Sequence, residues 1–419
     1  MTVVLEHTLT RSGALKRRSE RACVLYDAGA EARMYALVHE EFEHGTGTGQ
    51  KHPEVFQRPT GARLRVVMAG PLPPAIGGMV TVIDDLSKSQ LAKDVELVLF
   101  DTKKTTPAGR SLLHAVHSRL RLWARWWAAL RGETSVAHIH TCSGLTYFLD
   151  GSLLFIAGIR GVPALLHIHG GLFEDFLRKL SAPARWLARV IARRAAVVIV
   201  LSASWREKLS PLLPGAKLIV IENGIALPGD HATRPPWKIP SILFLGNISI
   251  AKGVEDLIEA AARLTVPYRL VLVGADDPEG MTTRLKARAA ELCIDRHIVF
   301  AGPAYGMDKH QYLREADIFV LPSHAEGLPM SLLEAMASGL AVLSTRVGAI
   351  PSVLTHEENG LLVDARDVRG LSAALERLLR DERLRKHLAS NAQQLARTHY
   401  SVERTAAELM NVYRRVTTC

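Results

Sequence analysis

Short apolar runs punctuate this chain, and each stops at a glycine, a proline or a polar pair before a stretch of helical character begins. One series lies at residues 64–70, 95–100, 136–140, 164–169 and 196–201, and a second at 241–246, 269–274, 298–302, 318–321 and 341–344. Runs this short, rich in Val, Ile and Leu and lacking alternation, read as strands buried on both faces. Helices between them make the strands parallel. A Pro/Gly-rich segment at 224–240, GIALPGDHATRPPWKIP, separates the two series. The pattern predicts an α/β protein of two Rossmann-like, doubly wound domains facing a cleft, residues 63–230 and 231–400. From 371 to 415 the chain reads as almost wholly helical, and residues 401–419 are expected to cross back onto the first domain as a helix. Residues 1–62 keep no steady period and read as an extension, largely disordered.

In open α/β sheets ligands collect at the carboxyl ends of strands, so the loops there carry the candidate chemistry. The run 318–321 breaks at Pro322-Ser323, and a helix is expected from Leu328-Pro329, with Pro329 in its first turn. Glu326 stands just before that helix and Glu334 about two turns along it, eight residues on, so both can face one cleft. The backbone N–H groups of Gly327, Leu328, Pro329's successor Met330 and their turn point out of the helix start. An anion or a sugar oxygen can accept from them. Strand, small-residue loop, helix start and two carboxylates describe a nucleotide-sugar pocket. Taken alone they also describe a surface helix with two solvated acids.

Other strand ends add to the set. His169 closes a strand before Gly170-Gly171 in HIHGG and is expected to face the cleft. His167 lies deeper and reads as structural. His138 and His140 form a similar pair, but a zinc site from the four lacks cysteine or carboxylate at ligand spacing. Gly246-Asn247 follows one strand, and Lys252-Gly253 precedes a helix, where a cation is unfavourable unless an anion binds beside it. Gly77-Gly78 opens the first βα unit without the G-x-G-x-x-G of a dinucleotide site. Two basic segments carry tryptophans: Arg119, Arg121, Arg125 and Arg131 with Trp123, Trp126 and Trp127, then Arg185, Arg189 and Arg193 with Trp186. Such helices suit the headgroup zone of an acidic bilayer, and equally the solvated faces of ordinary crossover helices.

A net charge of +10 asks for an anionic partner, and the absence of a recognisable reading module argues against nucleic acid. Four scattered cysteines and the lack of a signal-like start or an uninterrupted apolar span predict a cytoplasmic protein, peripheral on the inner face of the plasma membrane.

The ordered series IGGMV at 76–80, HIHGG at 167–171, IENGI at 221–225, GNISIAKG at 246–253, PSHAEGLPMSLLEAMASGLAV at 322–342, then VGAIPSVL and ENGLLV within 347–363, resembles the family-4 retaining glycosyltransferases of GT-B architecture. The resemblance covers roughly residues 64–416. It implies that Glu326 and the amides of Gly327, Leu328 and Met330, with Pro329 and Gly246, hold donor sugar and diphosphate. It further implies that Glu334 binds the ribose, that Lys252 neutralises the diphosphate, that Gly77-Gly78 closes on the phosphate, and that His169 sits beside the transferred sugar. Catalysis is then expected from His169, Glu326 and Lys252 without a metal or other cofactor. Two departures stand out: Asn247 where arginine is frequent, and Ser352 where glutamate is. The implied activity is transfer from a UDP- or GDP-sugar to a lipid-linked or other glycan acceptor in exopolysaccharide, capsule or lipopolysaccharide assembly. A nucleotide-sugar epimerase and an inactive nucleotide-sugar-binding scaffold are the alternatives.

Overall fold

The structure is a computed structural model that describes residues 63–418 apart from 76, 104–111 and 230–238. The expectation for residues 1–62 lies outside the described residues. The first lobe holds strands β1 (Arg65–Gly70), β2 (Glu96–Asp101), β3 (Thr134–Thr141), β4 (Ala164–Ile168), β5 (Val197–Val200) and β6 (Leu218–Val220), in sheet order β2-β1-β3-β4-β5-β6. The second holds β7 (Ser241–Leu245), β8 (Arg269–Val273), β9 (Ile298–Gly302), β10 (Ile318–Leu321), β11 (Ala341–Thr345) and β12 (Leu361–Val363), in order β12-β11-β10-β7-β8-β9. All neighbouring strands run parallel. The central strands are fully covered: Val66 to Ala69 and Ile318 to Leu321 have no exposed surface. That is why they show unbroken apolar runs rather than alternation. β6 and β12, absent from the sequence expectation, are three-residue edge strands too short to register as runs.

Strand order reverses between β1 and β3 in the first sheet and between β7 and β10 in the second. These switch points are where adjacent loops part and leave a crevice. They carry the loops after Gly70, Thr141, Leu245 and Leu321, which are the loops of the candidate site.

The C-terminal helices tie the lobes together. Helix Glu382–His399 packs on helix Met330–Ala337 and on β11. At Tyr400 the chain meets the crossover between lobes: Ile225 N–H donates to Tyr400 O (2.9 Å) and Val402 N–H donates to Ile225 O (2.8 Å). Ser401 caps the last helix, Val402–Thr417, by accepting from Arg404 N–H. That helix crosses to the first lobe, where Glu403 accepts from Gln90 N–H (2.9 Å) and Tyr413 is completely buried.

Three expectations change. Pro329 is the N-cap, in extended conformation, rather than a first-turn residue. Trp126 is fully buried against Phe100, its indole N–H donating to Leu153 O (3.0 Å), and so belongs to the core. The Arg185, Arg189 and Arg193 row donates to the carbonyls of Leu180, Leu212 and Pro214. Those guanidinium groups fasten loops instead of standing free. The exposed apolar side chains are Val116, Leu120 and Trp127 on helix Leu112–Ala129, where Arg121 and Arg125 are exposed beside them, and Trp186 and Leu187 on helix Ala182–Arg194.

Candidate active site

On the second lobe the site is assembled by the loop between β10 and helix Met330–Ala337. Its backbone is fixed from below: Thr345 Oγ1 donates to Ser323 O (2.5 Å), and Ala349 N–H donates to Gly327 O (3.0 Å). Glu326 is buried, and one carboxylate oxygen accepts both from Ser323 Oγ (2.6 Å) and from Lys252 Nζ (2.6 Å). Lys252 ends a short 3-10 turn capped by Ser249. Gly253 after it adopts φ 68°, and a Cβ there would strike the carbonyl oxygen of Pro322. Only glycine lets the lysine turn and the Glu326 loop approach this closely. Glu334, also buried, accepts instead from Lys309 Nζ (2.8 Å). The two glutamates are thus both covered by cations, but by different ones.

The first lobe presses on the same loop. A Cβ on Gly171 would collide with the Glu326–Gly327 backbone, and one on Gly327 would lie 2.8 Å from His169 O. Asn223, nearly buried, donates from Nδ2 to Leu328 O (3.1 Å). Gly78, at the start of helix Gly78–Lys88, faces Met330, at the start of its own helix; a Cβ on Gly78 would stand 3.6 Å from Met330 Cγ. Two helix N-termini, each with unsatisfied N–H groups, therefore meet across the lobes, an arrangement that attracts anions. His169 is partly buried and its Nε2 bonds His140 Nδ1 (2.8 Å). Burial lowers the His169 imidazole to about 3, so the ring is neutral near pH 7. Asp85, on the Gly78–Lys88 helix, accepts from Ala226 N–H. Burial, reinforced by nearby Glu334, pushes its carboxyl up to about 6 against the pull of that bond and of Lys309.

Measured against the sequence expectation, Glu326, Gly327, Leu328, Pro329, Met330, Lys252, His169, Gly77 and Gly78 lie on the loops and helix starts where the lobes meet. Gly77 takes the left-handed φ of 141° that only glycine adopts readily. Gly246 and Asn247 follow β7 at the switch point, where Asn247 Nδ2 donates to Asp277 (3.3 Å). Tyr305 is half exposed at the cap of helix Gly306–Glu315. Sequence reasoning missed Lys309, Asn223, Asp85 and Ser323. Lys309 sits in an ordinary polar helix with no signal, whereas Asn223 lay within the quoted IENGI motif.

Residues 76–227 match the model for Glycosyltransferase Family 4, and residues 232–395 that for Glycosyl transferases group 1. An MMP alpha-(1->4)-mannosyltransferase of Mycolicibacterium hassiacum is 30% identical over 311 residues, 70% of this chain and 73% of that protein. The chain belongs to glycosyltransferase family 4. It is a retaining glycosyltransferase that uses a nucleotide sugar. A D-inositol 3-phosphate glycosyltransferase of Salinispora tropica is 29% identical over 417 residues, 91% of this chain and 78% of that one. Against three Corynebacterium proteins of the same name the match spans about half of each. Among solved structures, sucrose-phosphate synthase from Thermosynechococcus elongatus superposes with a TM-score of 0.71 at 20% identity, over 85% of this chain and all of that one. Anabaena HepE in complex with UDP-glucose gives 0.68 at 20%, over 84% of this chain and all of that one. The family-4 transferase thus has the GT-B fold. No helix among its described residues is long and apolar enough to cross a membrane.

Proposed function

We propose that this transferase moves a sugar from a UDP- or GDP-sugar onto a lipid-linked glycan acceptor at an anionic membrane surface, in cell-surface polysaccharide synthesis. The observation that carries the reading is the apposition of His169-Gly170-Gly171 and the Lys252–Glu326 pair across the lobe junction. In the reaction the bond from the anomeric carbon to the diphosphate breaks. The acceptor oxygen bonds that carbon from the same side, and its proton leaves toward the departing phosphate. Negative charge grows on the diphosphate, where Lys252 and the N–H groups of Gly327, Leu328 and Met330 lower its energy from fixed positions. Glu326 orients the sugar and Glu334 the ribose. Neutral His169 hydrogen-bonds the transferred sugar without adding a charge that would oppose the oxocarbenium-like centre. The amides behind Gly77-Gly78 close on the phosphate from the first lobe, and Gly246-Asn247 line the donor from the second. Lobe boundaries near residues 230 and 400 belong to the same proposal.

The exposed Val116, Leu120, Trp127 and Trp186 in a chain of net charge +10 support a lipid-borne acceptor. A second reading, a phosphorylated polyol acceptor, is favoured by the relatives named for inositol 3-phosphate. Purified protein incubated with UDP-, GDP- and ADP-sugars, with and without lipid-linked acceptors or inositol 3-phosphate, distinguishes these. Transfer to the lipid-linked acceptor alone supports the first reading, transfer to the phosphorylated polyol supports the second, and free sugar isomers without acceptor would mark an epimerase. Donor binding without any turnover would mark a scaffold.

A further inference from the structure

Beneath the site, four histidines occupy one face of two adjacent strands. His138 and His140 alternate on β3, His167 follows on β4, and His140 pairs in register with His167. His169 comes two residues later, just past the strand. Their rings lie 4.2–5.3 Å apart, centroid to centroid. His138, His140 and His167 have no exposed surface, and only His169 reaches the cleft. The transfer proposed above uses none of the inner three.

Hydrogen bonding does not account for them. His138 Nδ1 bonds the Tyr413 hydroxyl (2.6 Å), and His138 Nε2 lies 3.2 Å from His167 Nδ1. A neutral imidazole has one donor and one acceptor nitrogen. If Tyr413 donates, protons run through His138 and strand an N–H on His167 Nε2. If Tyr413 accepts, they run the other way and leave His167 Nε2 as a bare lone pair. Either way that buried atom has no partner, and the same holds for His140 Nε2. Two orphaned nitrogens in one buried cluster call for a third party.

We propose that His138, His140 and His167 form a transition-metal site in the first-lobe core. One nitrogen from each lies within 4.8 Å of the others, and modest ring rotation brings such a trio to the roughly 3.3 Å separations of tetrahedral nitrogen ligands bound at about 2.0–2.1 Å. An all-imidazole set selects zinc, cobalt, nickel or copper and rejects magnesium and calcium, which need oxygen. The outer partners fit as well. His138 Nδ1–H donating to Tyr413 puts a lone pair on His138 Nε2, which ligation would take over from its contact with His167 Nδ1, and His140 Nδ1–H donating to His169 Nε2 frees His140 Nε2. The second bond leaves the His169 proton on Nδ1. The ion's role is structural: it pins the crossing helix through Tyr413 and fixes the tautomer of the cleft histidine.

Tag-free full-length protein is stripped with chelator, reloaded with zinc, passed through gel filtration and measured by elemental analysis, with cobalt(II) absorption as a second readout. The expected result is one zinc per chain, a higher melting temperature with zinc, and a visible absorption band on loading with cobalt(II). H140Q and H167Q should lose all three while keeping native far-UV circular dichroism. Tyr413→Phe, which spares the ligands, should weaken zinc about 10-fold. Wild-type protein that elutes without zinc and melts unchanged in its presence overturns the proposal, whatever the variants do. So does zinc retained equally by folded H140Q and H167Q.

Discussion

On the second-lobe side of the cleft, the acids are paired with lysines: Glu326 under Lys252 and Glu334 under Lys309. On the first-lobe side, beside Asp85 and Asn223, stand imidazoles that burial keeps neutral, stacked from Tyr413 outward to His169. The second-lobe wall carries paired charges, while around His169 the first-lobe wall offers hydrogen-bonding capacity without charge. That division matches what each must meet, since charge develops on the leaving diphosphate while a hexose offers only hydroxyls. It also implies that the walls fail differently. Damage to the lysine wall should appear in turnover, and damage to the histidine wall in stability and acid tolerance.

The largest break is expected at the pair itself. Glu326→Gln and Lys252→Ala should each lower transfer by roughly 10²–10³-fold, read as kcat with saturating donor. Full activity in both would remove the assignment of this wall. Gly171→Ala tests the contact between walls, because its methyl would collide with the Glu326–Gly327 backbone. Transfer should fall by about 10-fold or more while the melting temperature changes little, since the collision is with an approaching lobe and not within a core. Lys309→Ala leaves a buried carboxylate without its charged donor. A rise of about 10-fold in donor KM, with kcat less affected, would mark Glu334 as a binding group.

The pH dependence of stability sharpens the contrast, and its two parts carry opposite signs. His138 and His169 fall from 6.5 to about 3 on folding, so below pH 6.5 the unfolded chain binds more protons. Their contribution is complete above pH 6.5 and is lost progressively as pH drops toward 3. Asp85 rises from 3.8 to about 6, so the folded state holds the extra proton and stability declines as pH climbs through that window. Melting curves of wild type and Asp85→Asn between pH 4 and 8 separate the two. The variant should lose the decline toward pH 6 and keep the acid limb. The smallest effect is expected at the surface: Trp186→Ala should weaken flotation with anionic liposomes modestly, and salt should weaken it for both proteins. Liposome binding that is absent at low salt would detach the membrane from the proposed function.

Much of this was legible in the chain. Ile318 to Leu321 and Val66 to Ala69 declare central parallel strands, because burial on both faces forces an unbroken apolar run. The glycines at 77, 171 and 253 and the glutamates at 326 and 334 mark the site, because backbone approach and carboxylate chemistry each restrict the residue type locally. Edge strands β6 and β12 were not legible, since three residues are too few to impose a pattern. Nor was the burial of Trp126 or the fastening of Arg185, Arg189 and Arg193 to loop carbonyls, because composition records a cation without its partner.

Sequence alone determined the two-sheet plan, the loops that carry the chemistry and the residue types on them, since these follow from periodicity and from local backbone limits. Tertiary structure alone decided which lysine covers which glutamate, that the histidine wall is neutral, and that Tyr413 reaches His138 from 275 residues away. Those outcomes depend on contacts between distant segments and on the water they exclude, and neither is encoded in the neighbourhood of any one residue.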